Sequence, residues 1–439
     1  MKLSRLAVLG TVTGTLLTTS AALAQTQIKY MLWDANQLPA YQQCAVAFQE
    51  QNPDIQVNLE QIGWDDYWTT ITTGFVSGTA PDVFTDHLAK YPEFVTNNQL
   101  VDVQPLVERD SVDTGNYIGK LASLWQKDEG RYGLPKDWDT VAIFYNKAMF
   151  DAAGIDPAVM EDWTWNPQDG GTFQEVVSKL TLDKNGNNAL SPDFDPNKVV
   201  QYGFIMPGAG GGGGQTEWSH FAASNGWVPT NGIWGDQYNY SDPKFIETIS
   251  WLQDVVNNKH LSPLTSDVAG VGANALFSAG QGALVTDGSW QIGQYANNSP
   301  FEVGIAKLPV GPNGRKSMFN GLADSIWAGS QHQEEAWQWV KFLGSADCQN
   351  IVGAAGVVFP ALQSGVDAAV ETYSSRGVDV TPFTEEATAE NGTFLFPITD
   401  YGAQITSILT NAMENIFTNN AEVEPTLTQA NEQINALFQ

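Results

Sequence analysis

The stretch that most restricts the fold is residues 26–87, where the hydrophobic period changes four times. Ile28 to Trp33 reads as a strand, and Asp34-Ala35-Asn36-Gln37 as the loop leaving it. Leu38, Tyr41, Ala45 and Phe48 then recur at helical spacing until Asn52-Pro53 stops them. Ile55, Val57 and Leu59 alternate as a second strand. Gly63-Trp64-Asp65-Asp66-Tyr67-Trp68 opens a second helix with Trp68, Ile71 and Phe75 on one face, and Asp82 to Thr85 forms a third strand ending at Asp86-His87. Such a β-α-β-α-β order needs a parallel sheet with helices on its faces. In such sheets ligands sit beyond the C-terminal strand ends. That brings Asp34, Trp64, Asp65, Asp86 and His87 to one crevice; His87 itself is read as structural.

A second informative stretch is Leu134 to Lys147. Its front half, Pro135-Lys136-Asp137-Trp138-Asp139-Thr140, is polar and aromatic, and Val141-Ala142-Ile143-Phe144-Tyr145 reads as a buried strand. Carboxylates beside an indole at the mouth of a strand suit a sugar. The carboxylates accept hydroxyl hydrogen bonds, and the indole face covers the C–H side of a pyranose. An ordinary polar loop before a strand is the plain alternative.

This stretch resembles the first interdomain crossing of the extracellular solute-binding proteins of ABC sugar importers, the maltodextrin-binding-like, family 1 type. The matching run is Asp139-Thr140-Val141-Ala142-Ile143-Phe144-Tyr145-Asn146-Lys147. Ala80-Pro81-Asp82-Val83-Phe84, Asp287-Gly288-Ser289-Trp290, and Gly356 with Phe359-Pro360-Ala361 follow the same family pattern in order. The similarity runs from about residue 26 to near the C-terminus. It implies an α/β, two-lobed periplasmic-binding-protein fold (type II, Venus-flytrap), each lobe a mostly parallel sheet flanked by helices. By family analogy the lobes are 25–138 plus 303–345 and 139–302 plus 346–439.

The resemblance also implies a binding role and no catalysis. A neutral mono- or oligosaccharide is held between the lobes and delivered to the transmembrane subunits of an ABC permease by a monomer. Asp139 matches the hinge acid and Trp290 the stacking aromatic. Asp86, Asp34, Asp65, Trp64, Asp137, Trp138, Asn320 and Asp324 are further ligand candidates by their place at strand ends or crossings. Trp218, Trp234 and Tyr401 are candidates by loop position alone.

Lys136 and Arg131 lie near the hinge, so a uronate or other acidic sugar is an alternative, since one cation is enough to pair a carboxylate; a polyol is another. A secreted glycosidase using paired carboxylates is a more distant reading. The crossings point to two lobes and not to a barrel of eight βα units. An amino-acid or peptide binder calls for a fixed Arg–Asp pair, and none stands out.

Composition narrows the partners. The chain holds 49 acidic against 20 basic side chains, a formal net charge of −29, which repels nucleic acid and anionic lipid and disfavours phosphodiester ligands. Its 15 Trp against only 16% charged residues suit a neutral polyhydroxylated ligand.

Lys2 and Arg5, the apolar Leu6–Leu17 run and Ala22-Leu23-Ala24 read as a cleavable export signal, residues 1–24, without a cysteine for a lipid anchor. A periplasmic protein without membrane insertion is expected. Cys44 and Cys348 are the only cysteines, and an oxidising compartment allows them to pair. Asp183, Asn185 and Asn187 alternate like oxygen ligands of a calcium loop, with Asp193 or Asp195 to close it. Gly186 is misplaced for an EF-hand, however, and a plain turn is the preferred reading, with no cofactor. Gly210–Gly214 lacks the Lys-Ser/Thr of a phosphate loop and reads as a mobile loop at the cleft lip.

Overall fold

The computed structural model describes residues 25–210 and 213–439. The signal-peptide reading of residues 1–24, and Gly211 and Gly212 of the glycine run, lie outside the described residues.

Thr26–Leu32 pairs in parallel with Ile55–Gln61 on one side and Val83–His87 on the other, as the alternation in period demands. Strand residues alternate between two cores. Ile28, Tyr30 and Leu32 pack with Tyr41, Cys44 and Phe48 of helix Leu38–Gln51. Met31, on the other face, packs with Tyr67 and Ile71 of helix Trp64–Ser77. That second helix ends at Gly78, whose φ of 73° is a left-handed cap open to glycine without strain.

Beyond these strands the first sheet is built from chain that returns. Ser317–Ile326 runs antiparallel between Val83–His87 and Leu134–Asp139, and Phe359–Pro360 adds to the far edge against Trp138 and Asp137. The second sheet has the order Val303–Ala306, Val141–Asn146, Gly282–Gly288, Val199–Ile205, Leu182–Asp183. Val141, Ile143 and Tyr145 face one core, and Ala142 and Phe144 the other, so the run is apolar throughout because both faces are covered. The two-lobed α/β architecture agrees with expectation. The sheets are mixed, however: parallel where helices cross over and antiparallel where the hinge segments run back.

Only Thr140 separates the strand of the first sheet from that of the second, and its hydroxyl donates to Phe383 O at 3.0 Å. Ser317 braces the crossing, accepting from Val141 N at 2.8 Å and donating to Val141 O at 2.9 Å.

Strand membership departs from the expected division of the chain in two places. Val303–Ala306, placed with the first lobe by analogy, pairs antiparallel with Val141–Asn146 in the second sheet. Residues 346–375, placed with the second lobe, pack on the first. Helix Ala346–Ala355 contributes Cys348 and Val352 to the core of the first strand, and Cys348 is bridged to Cys44 with Cα atoms 5.1 Å apart. Helix Gly402–Phe417 then returns to the second core through Ile405, Leu409 and Met413. No helix among the described residues is long and apolar enough to cross a membrane.

Candidate functional site

A cavity of about 440 Å³ opens between the two sheets. The first lobe supplies Trp33, Asp34, Asn36 and Gln37 after its first strand, Trp64 after its second and His87 at the end of its third. The hinge strands supply Asp139, Asn320 and Leu322, and the second lobe supplies Gln215, Trp290 and Gln291. The strand-end rule therefore holds in both lobes.

Each lining side chain is held by its element. Asp34 closes the turn after the first strand, accepting from Asn36 N at 2.8 Å and from Gln37 Nε2 at 3.1 Å. This leaves Gln37 Oε1 buried without a partner. Trp64 stands at the first turn of its helix, edge-on to Trp33 at 5.1 Å and to Trp68 at 5.4 Å, and remains 44% exposed. Trp290 folds back over the end of strand Gly282–Gly288. A Cβ at Gly288 would meet its ring at 1.9 Å, which is the physical need for glycine in Asp287-Gly288-Ser289-Trp290. Ser289, from the same turn, donates to Asp139 Oδ1 at 3.0 Å and so joins the second lobe to the hinge acid. Burial, aided by the nearby Asp34 charge, pushes the Asp139 carboxyl up to about 7 against the pull of the Ser289 bond.

Asp34, Trp64, Asp139, Trp290 and Asn320 of the expected residues line this cavity. The others are elsewhere. Asp65 is an exposed acid in the first turn of helix Trp64–Ser77, where it complements the helix N-terminus. Asp86 is fully buried within its strand, accepting from His87 N at 2.8 Å, and burial raises it to about 8. Asp324 accepts from Tyr30 Oη at 2.9 Å and Thr85 Oγ1 at 3.2 Å inside the first sheet. Asp137 is wholly buried with neither oxygen hydrogen-bonded, and burial raises its pKa well above the usual carboxylate range despite Lys136.

The expected aromatics part company in the same way. Trp138 is core, stacked between Phe319 at 5.8 Å and Phe359 at 5.0 Å. Trp218 is fully buried against Trp227 and Phe245, directly under Gly214. Trp234 bonds Gln126 O at 2.8 Å across the lobes, and Tyr401 lies against Phe438 at 5.2 Å.

Sequence reasoning missed Gln215, whose Nε2 is buried and unpartnered, although it directly follows the glycine run, and Gln37, although it ends the loop singled out after the first strand. It also read His87 as purely structural. Lys136 and Arg131 do not line the cavity. Lys136 donates to Tyr30 Oη at 3.0 Å and Thr85 Oγ1 at 2.8 Å, and Arg131 to Gln104 Oε1 at 3.2 Å.

The candidate calcium loop is a closed turn. Asp183 Oδ1 accepts from Asn185 N at 2.8 Å and Asn187 N at 2.9 Å, and Oδ2 from Asp195 N at 3.0 Å. Desolvation pushes this carboxyl up, yet those backbone bonds outweigh it and hold it at about 2. Both carboxylate oxygens of Asp183 are thus engaged by donors of the loop itself. Among the described residues no cluster of His, Cys, Asp and Glu is arranged to hold a metal ion.

The fold and the interlobe cavity are those of a solute-binding protein. Residues 34–350 match the family described as bacterial extracellular solute-binding protein, and the chain belongs to that family. A binding protein of Brucella abortus is 22% identical over 427 residues, covering 96% of this chain and 95% of its own length. The arabinooligosaccharide-binding protein of Bacillus subtilis is 22% identical over 340 residues, covering 74% of this chain and 70% of its own length. Among solved structures, UspC of M. tuberculosis superposes with a TM-score of 0.75 at 27% identity, over 93% of this chain and 99% of that one. The ABC substrate-binding protein of Listeria monocytogenes in complex with cycloalternan superposes with a TM-score of 0.79 at 23% identity, over 94% and 99%.

Proposed function

We propose that this chain is the exported, periplasmic substrate-binding component of an ABC importer. It takes a neutral mono- or oligosaccharide between its lobes and delivers it to the membrane permease as a monomer. The observation that carries this reading is the lining of the cavity. Indoles Trp33, Trp64 and Trp290 stand with carboxylates Asp34 and Asp139 and amides Gln37, Gln215 and Asn320, and among the described residues no Lys or Arg lines it. Flat apolar faces with convergent acceptors and donors suit a ring bearing hydroxyls, whereas a uronate carboxylate meets two acids and no cation. A volume of about 440 Å³ falls in the small-molecule range of roughly 300–1,000 Å³. The names of the oligosaccharide-binding relatives support the same class. The lining carboxylates act as hydrogen-bond acceptors, and ligand touched by both lobes favours closure.

The test is thermal unfolding of residues 25–439 with neutral mono- and disaccharides, uronates and polyols. A ligand at a hundred times its dissociation constant adds about 2.7 kcal/mol, enough to raise the midpoint by roughly several degrees. The expected result is a shift with neutral sugars that Asp139→Asn or Trp290→Ala abolishes. A shift with uronates alone, or turnover of chromogenic glycosides, would overturn the reading.

A further inference from the structure

We infer that His87 fixes the side-chain amide of Asn320 with its N–H₂ turned into the cavity, so that Asn320 and Asp139 together read one ligand hydroxyl. This rests on the sugar-binding reading above. His87 Nδ1 accepts from Ala89 N at 3.0 Å, and a ring nitrogen that accepts bears no proton. The imidazole is buried among Trp64, Trp33 and Phe396, and desolvation, with Lys90 nearby, depresses it to about 3, so it is neutral. Its one proton is therefore on Nε2.

The amide terminus of Asn320 lies 2.9 Å from that nitrogen. A donor facing it must be answered by an acceptor, which assigns the amide oxygen to the His87 side. Asn320 lines the cavity, and the other position of its amide is buried without a partner; it is then the N–H₂.

Asn320 pairs directly opposite Asp139 across the two hinge strands, so both side chains share a face, and both line the cavity. One oxygen of Asp139 is taken by Ser289 and the other remains to accept. A donor amide beside an acceptor carboxylate is complementary to a hydroxyl, which gives a proton to Asp139 and takes one from Asn320. An ammonium is refused by the N–H₂, a carboxylate by Asp139, and an ether oxygen satisfies only one of the pair. With the amide reversed, two acceptors would stand side by side. His87 is thus a positioning residue and Asn320 a specificity-determining one.

The experiment has two arms. Long-range ¹H–¹⁵N spectra of ¹⁵N-histidine-labelled protein, assigned by loss of the signal in His87→Gln, report the tautomer without ligand. The expected result is a protonated Nε2 and bare Nδ1, unchanged from pH 5 to 8. A proton on Nδ1, or a doubly protonated ring, overturns the inference. In the second arm D-glucose, D-galactose, D-mannose, L-arabinose and maltose are titrated calorimetrically. For any sugar that binds, Asn320→Asp and His87→Leu are expected to weaken it by about tenfold or more, and His87→Gln, which keeps a donor toward Asn320, to restore most of the loss. A wild-type protein that binds a sugar as tightly as Asn320→Asp does overturns this inference and leaves the proposed function standing. A wild-type protein that binds none of the five overturns both.

Discussion

Asp139 couples the cavity to pH. Its folded pKa of about 7 lies above the ordinary value of 3.8, so between those limits the folded chain holds a proton that the unfolded chain has released. That stability is complete below about pH 4 and is lost as pH rises through 7. Asp287 and Glu386, each raised to about 7, and Asp86, raised to about 8, act in the same direction, all chiefly through burial. The unliganded protein is therefore expected to melt lower at pH 8 than at pH 5, with a shallower slope in Asp139→Asn; a melting temperature that climbs over that range would contradict this. Sugar affinity should run the other way, strengthening as Asp139 ionises, because a charged acceptor makes roughly twice as strong a hydrogen bond.

At the scale of elements, two close-packed helices set a different kind of limit. Helix Ala346–Ala355 crosses helix Gln363–Ser375 where a Cβ on Gly353 would sit 2.1 Å from Gly365 O. Gly353→Ala is expected to cost about 1–3 kcal/mol in urea unfolding. Gly270→Ala, in a helix with open space around it, should instead gain up to about 1 kcal/mol. Equal effects for the two would refute the packing argument.

The sequence makes some of these elements legible and hides others. The first three strands and their helices could be read because period 2 and period 3.6 alternate locally from Ile28 to Thr85. Asp34, Trp64, Asp139, Trp290 and Asn320 were legible as strand-end or crossing residues. Trp138 was not separable from them. What buries it is Phe359, which arrives more than two hundred residues later on an edge strand. Asp137 and Asp324 were misread for a similar reason. The pairing of the hinge strands slips between Leu322 and Ala323, and it is tertiary register, not spacing along the chain, that decides which acid meets the cavity. The true edge at Val303 carries no compositional mark.

For the molecule as a whole, the lobes also meet away from the cavity. Trp234, on a loop anchored in the second core through Trp227, Tyr238 and Tyr240, donates to Gln126 O of the first lobe. Lys127 lies 4.4 Å above its ring, 3.8 Å from Asp400 and 3.2 Å from Thr96 Oγ1. A partly exposed cation–π contact of this kind is worth about 0.5–1 kcal/mol. Lys127→Ala is therefore expected to weaken sugar binding by about two- to fivefold without altering the cavity, and to enlarge the radius of gyration measured by solution X-ray scattering. Unchanged affinity and unchanged scattering would show that this contact does not bias the lobes.

The first lobe is assembled from the beginning of the chain and from segments around Ser317–Ile326 and 346–375, while the second lobe draws its sheet from residues 141–306. A chain delivered N-terminus first thus presents a three-stranded unit whose Val83–His87 strand lacks its neighbour Ser317–Ile326 until more than two hundred further residues have emerged. Closing so long a loop costs entropy before any contact rewards it. The unpaired edge of Val83–His87 is in that interval a surface that other chains can add to. The lobe that is read first is the one that must be guarded longest, and a holding chaperone would have most to protect in the stretch between His87 and Ser317.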